Sequence, residues 1–209
     1  MEADRGQRWP RPTRWQGIAL GLASLFLAGA VGYSIGTPGD RAPSDVDRGF
    51  LTDMIRHHNQ ALQVSNLVLE DGRDAMVAHQ AREILRYQSY EVGVMESHLA
   101  RLGADLRSAP ATAMAWMGHA VPASDMVGMA TEAEVDALAA ARGAAADGLF
   151  LGLMIEHHRG GMHMARAAAR RATDAAVTDM AETLERNQGL EVAELQASRR
   201  QLGLPPTPE

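Results

Sequence analysis

The sequence predicts an all-α fold: a four-helix bundle of two duplicated antiparallel helix hairpins, joined by a long methionine-rich crossover and preceded by an N-terminal transmembrane helix. Three observations carry this. First, Asp47-Arg48-Gly49-Phe50-Leu51-Thr52-Asp53-Met54-Ile55-Arg56-His57-His58 returns one hundred positions later as Asp147-Gly148-Leu149-Phe150-Leu151-Gly152-Leu153-Met154-Ile155-Glu156-His157-His158. Asp74-Ala75, Gln88, Glu91-Val92 and Leu102-Gly103 also recur at the same offset, so the two copies (about 47–103 and 147–203) carry no net insertion. A repeat of this kind decides the fold before any local reading does. Around a pseudo-twofold axis, the paired histidines would face a shared interior. Second, aromatic residues make up only 4% of the chain, and Ala, Leu and Met fill the apolar positions, which favours helices over sheets. Third, the connections inside each copy are short, and short connections demand antiparallel neighbours.

The N-terminus reads as a separate module. Residues 1–14 carry Arg5, Arg8, Arg11 and Arg14, and residues 15–36 are uncharged, about the length that spans a bilayer. Arginines before the span predict a cytoplasmic N-terminus and a single-pass anchor with the domain on the extracytoplasmic side. Ala28-Gly29-Ala30 is the alternative, a small-x-small site at which a signal peptide would be cut near Ala30. Either way the domain works outside the cytoplasm. The net charge is −6, and setting aside four arginines against Glu2 and Asp4 leaves −8 on the exported part. That balance argues against nucleic acid as a partner. Cysteine is absent, which excludes disulfides, thiolate metal sites and cysteine nucleophiles.

Residues 37–46 read as a linker, with Ser44 or Asp45 capping the helix that follows. The bundle domain spans 47–204. The first helix stops at Asp71-Gly72, and Phe50, Met54, Ile55, His58, Ala61, Leu62 and Ser65 follow the spacing of one buried face. The second runs from near Asp74 to Leu102-Gly103, the third ends near Arg171, and a fourth is capped by Thr173 or Asp174 and stops at Gly203. The crossover, 104–146, holds Met114, Trp116, Met117, His119, Met126 and Met129 in an irregular stretch. Thr131 and Glu134 then form a capping box for a short helix.

On the third helix, residues three, four and seven apart share a face. Met154, His158 and Met162 therefore form one column, with His157 beside it and Met164 close in angle to His157. Thioether sulfur with imidazole nitrogen suits Cu(I) and Ag(I), while imidazole alone takes Cu(II) or Zn(II). The expected ligands are His157, His158, Met162, His163 and Met164, with Met154, His119, Met126 and Met129 as secondary candidates. The first-copy His57, His58 and Met54 are poorer, because Leu62 and Val64 stand where the second copy has Met162 and Met164. Gln88, Glu91, Gln188 and Glu191 would point at the first helix of each hairpin at about the height of the histidines. There they either orient metal-bound imidazoles or set the bundle's register through a buried hydrogen-bond network. Neither Glu-x-x-His nor His-Glu-x-x-His occurs, which disfavours di-iron oxygen chemistry.

Asp47, Phe50, Met54-Ile55-x-His57-His58, Gln88 and Glu91, with Asp147, Phe150-Leu151, Met154-Ile155-x-His157-His158 and Gly161-Met162-x-Met164-Ala165, resemble the family catalogued as domain of unknown function 305. The resemblance implies an exported, ferritin-like four-helix bundle. Since some relatives are periplasmic copper-binding proteins, it also implies copper handling. One departure is Arg159-Gly160-Gly161 after the second His-His, which puts a positive charge next to the expected site. The expectation is a non-enzymatic protein that sequesters or transfers copper, with silver as a mimic and zinc less suited. A copper-handling protein or a second copy would be its partner. The alternative is a membrane-tethered interaction module whose His, Gln and Glu networks are structural. A metal-dependent oxidase is the weaker third reading.

Overall fold

The computed structural model describes residues 44–205 and 207. The predicted anchor and its cleavage alternative lie outside these residues. Among the described residues, no helix is long and apolar enough to cross a membrane.

Among the described residues the fold is all-α apart from one two-residue ladder. In chain order it comprises α1 (Asp45–Asp71), α2 (Ala75–Arg101), the short strands β1 (Thr112–Ala113) and β2 (Val121–Pro122), α3 (Glu132–Ala140), α4 (Ala144–Arg171) and α5 (Ala175–Gln201). Ser44 caps α1 through a capping box with Asp47, so the predicted linker gives way to helix at Asp45. Asp74 and Asp174 cap α2 and α5 through their side chains. Thr131 and Glu134 form the capping box of α3. α4 has no side-chain cap and starts from Gly143, whose φ of 59° suits a glycine.

α1 packs on α2 and α4 on α5, while α1 and α4 join the two hairpins. The core has two apolar halves. One gathers Phe50, Met54, Met95, Trp116, Met126, Met164 and Leu184. The other gathers Val64, Val68, Ile84, Phe150, Met154 and Leu195. Along α1 the first half precedes His57-His58 and the second follows them. Along α4 the order is reversed, so the two helices run antiparallel. Gln88 and Glu91 on α2, and Gln188 and Glu191 on α5, fall between the same two halves. The helices α1, α2, α4 and α5 therefore carry a polar belt at mid-height, where an all-apolar core would otherwise be continuous.

The buried stripe of α1 is wider than one helical face. Leu51, Asp53, His57, Val64 and Val68 join it, while Leu62 is only half-buried. The cause is that α1 is covered on several sides, by α2, α4, α3 and the crossover. Trp116 of the crossover packs edge-on to Phe50 at 5.9 Å. It approaches so closely that a Cβ on Gly49 would lie 2.5 Å from its ring.

Candidate metal centre

The four histidines of the two copies meet in the polar belt. The His57 and His157 rings stack with centroids 3.7 Å apart, and His157 lies 6.0 Å from the His158 ring. All four are at most 3% exposed. Burial pushes the His57 pKa down to about 3, with help from neighbouring His58 and His158. Burial likewise holds His157 well below the ordinary histidine range, with His57 adding to the effect. Both rings are neutral at physiological pH, so each has one N–H and one lone pair.

Hydrogen bonds decide which nitrogen has the lone pair. His57 donates from Nε2 to the Val127 carbonyl at 3.2 Å, and His58 donates from Nε2 to Glu91 at 3.1 Å. The Nδ1 atoms of both rings are buried and have no hydrogen-bond partner. The second copy repeats this pattern at His157 and departs from it at His158. His157 donates from Nε2 to the His57 carbonyl at 2.9 Å. His158 donates from Nδ1 to the Met154 carbonyl at 2.8 Å, and its Nε2 lies 2.6 Å from Glu191, a contact that needs a shared proton. The Gln88 amide crosses between hairpins to within 3.5 Å of His158 Nε2. The Oε1 atoms of Gln88 and Gln188 are buried and unpartnered.

The other sequence candidates disperse. Met162 is half-buried, with its methyl group 3.5 Å from where a Cβ on Gly189 would sit, and His163 and His119 are exposed. Met54, Met126 and Met164 lie in one apolar half with Met129 packed against it, and Met154 lies in the other. Among the described residues, no three His, Asp or Glu side chains converge on a common point as a cation cage. The Arg159 guanidinium donates to Glu156 at 2.7 Å, which turns part of its charge toward a half-exposed carboxylate.

Several residues that build the site were not singled out from sequence. Asp53 accepts from the Met114 amide at 2.7 Å and from the Trp116 indole at 2.9 Å. Gln60 clamps Ala130 by donating to its carbonyl at 2.8 Å and accepting from its amide at 2.7 Å. Gly160 lets the crossover press against α4, since a Cβ there would lie 2.1 Å from the Val127 oxygen. The Gly160-Gly161 pair, noted only as a departure, was the sequence signal for that close approach.

The sequence profile described as Domain of unknown function (DUF305) matches residues 47–199. The chain belongs to the DUF305 family. A solved DUF305 structure from Streptomyces coelicolor, described as a candidate secreted protein, is 31% identical with a TM-score of 0.72, covering 78% of this chain and 97% of that one. A DUF305 fragment from Deinococcus radiodurans is 26% identical with a TM-score of 0.66, covering 76% and 98%. CopM in its Cu(I)-bound form is 22% identical with a TM-score of 0.56, covering 75% and 96%, a likeness of fold. CopM has also been solved with silver and with Cu(II). No curated protein matches.

Proposed function

We propose that this DUF305 protein is an extracytoplasmic, ferritin-like four-helix bundle that binds a soft metal ion as cargo, copper above all, and performs no turnover chemistry. The observation that carries the reading is the pair of consecutive imidazoles, His57 and His58. Each presents a buried Nδ1 lone pair with no hydrogen-bond partner. An unsatisfied buried acceptor is costly, and a soft d10 cation such as Cu(I) or Ag(I) satisfies it without a proton. The Val127 carbonyl and Glu91 hold the opposite Nε2–H groups, which fixes the tautomer that leaves Nδ1 free. Of the α4 candidates, His158 would ligate only after releasing Glu191 or the Met154 carbonyl, and His157 would offer its Nδ1 while Nε2 holds the His57 carbonyl. Met162, His163 and Met164 would have to be drawn together from separate surroundings. The CopM structures, solved with Cu(I), Cu(II) and silver, support the class of cargo. The secreted description of the Streptomyces relative supports the compartment.

The test is a Cu(I) titration against a competing chelator, with Ag(I) and Zn(II) in parallel. The expected result is sub-micromolar Cu(I) and Ag(I) binding, with zinc weaker. Affinity should fall by about a hundredfold (about 2.7 kcal/mol) in His57→Asn or His58→Asn. The triple variant His157→Ala/His158→Ala/Met162→Leu tells whether α4 contributes, and circular dichroism checks that each variant folds. Binding unchanged by every substitution sinks the reading. A metal-independent interaction module is the second reading, favoured by Tyr90 and Leu190. They occupy equivalent positions in the two copies and are 72% and 68% exposed. Capture of a membrane partner or a second copy that is insensitive to chelator would support it.

A further inference from the structure

His58 is fully buried, so an ion can reach its Nδ1 only through an opening in the bundle. The crossover closes one side. Val127 is held by His57, Ala130 is clamped twice by Gln60, and Gly128 lies against α4, where a Cβ on it would come within 2.7 Å of the Glu156 carbonyl. The α2–α5 face is different, because α2 packs mainly on α1 and α5 mainly on α4, which leaves a looser seam between them. A groove of 440 Å³ runs along this seam, walled by Tyr87, Glu91 and His98 of α2 and by Asp179, Met180 and Leu184 of α5. Glu91 belongs to both places at once. It lines the groove, its side chain is 17% exposed, and its carboxylate holds His58 Nε2 at 3.1 Å.

Resting on the proposed soft-metal reading, we infer that this α2–α5 groove is the port through which a monovalent soft cation enters and leaves the His57–His58 pair. Two carboxylates at the wall, Glu91 and Asp179, raise the local concentration of a cation. The imidazole of His98 and the thioether of Met180 give it soft donors on which to shed water or a carrier ligand. Glu91 is the positioning residue: movement of its carboxylate opens the way past the His58 ring. The equivalent Glu191 lines a separate groove of 290 Å³, but His158 behind it has Nδ1 engaged with Met154. The port therefore serves the first copy.

The experiment uses the full-length protein and Cu(I) delivered from bicinchoninate, following the loss of the chelator's colour by stopped flow, with Ag(I) as a second probe. Val94→Trp and Ala176→Trp fill the groove without touching a candidate ligand. Leu149→Trp, in the unrelated groove beside α3, is the control. The expected result is uptake and release both slowed at least tenfold in the two groove variants, with affinity unchanged. Parent uptake should slow as ionic strength rises, and Glu91→Gln and Asp179→Asn should flatten that salt dependence. The port is overturned if the groove variants load at the parent rate, or if the Leu149→Trp control is slowed as much as they are. Binding that is absent in the parent overturns port and metal reading together, whereas binding with unchanged rates overturns the port alone.

Discussion

At the scale of single residues, glycines show how closely the crossover is fitted to the helix that carries the second histidine pair. A Cβ on Gly160 would lie 2.1 Å from the Val127 oxygen and 2.6 Å from the Gly128 Cα, both backbone atoms. Gly93, in the exposed middle of α2, has nothing within 4 Å. Two identical substitutions should therefore act in opposite directions. Gly160→Ala should destabilise by about 2–3 kcal/mol through overpacking. Gly93→Ala should stabilise by up to about 1 kcal/mol through helix propensity. Urea denaturation of the two variants checks both, and equal effects would mean that the crossover does not press on α4. Gly160→Ala should also weaken metal binding, because the carbonyl it displaces is the one that fixes the His57 tautomer.

At the scale of elements, the two hairpins are tied by reciprocal caps. Asp47, at the start of α1, accepts from the Thr173 amide at 2.9 Å, the Thr173 hydroxyl at 2.7 Å and the Asp174 amide at 3.1 Å, all in the turn before α5. Asp147, at the start of α4, accepts from the Arg73 and Asp74 amides in the turn before α2, at 3.2 and 3.1 Å. Each copy thus closes the other's turn. Asp47→Ala should cost about 2 kcal/mol, since it removes a buried charged acceptor from several part-buried donors. Asp147→Ala lies at the other end of the antiparallel α1–α4 pair, and the two effects should add within about 0.5 kcal/mol. Burial alone would raise the Asp47 pKa, but the hydrogen bonds from Thr173, Ser44 and Asp174 outweigh it and hold it at about 2. Its contribution is therefore complete above pH 3.8, the unfolded value, and is lost as pH falls through about 2. Denaturation midpoints of parent and Asp47→Ala that converge at pH 2 would match this. A constant gap would show that the stabilisation is not ionic.

For the whole molecule, the all-α character was legible because its signals are local and repeated. A cap at Ser44 or Asp45, another at Thr131, a third at Thr173 or Asp174, a helix start near Asp74 and the one-hundred-residue repeat are visible without knowing any contact. The site was legible only as a residue list. Which imidazole nitrogen is free depends on partners 33, 70 and 100 positions away, Glu91, Val127 and the His57 carbonyl. Helical spacing on α4 drew attention to the second copy, whereas the fully buried nitrogens left without a hydrogen bond, Nδ1 of His57 and of His58, lie in the first. Those long-range bonds also make the polar belt a source of acid lability for the entire fold. A histidine in the unfolded chain takes a proton near pH 6.5, whereas His57 in the fold does so near 3. Between these values the unfolded chain binds more protons than the native one. Stability must then fall as pH falls, by about 1.4 kcal/mol per pH unit from His57 alone. His157, held down by the same burial, adds to the slope. The ion-free protein should therefore lose at least about 2 kcal/mol between pH 6.5 and 5, well above the window in which Asp47 titrates. Urea denaturation across that range measures the slope. A stability independent of pH between 6.5 and 5 would mean that the stacked imidazoles take up protons in the folded state and that the belt opens to water.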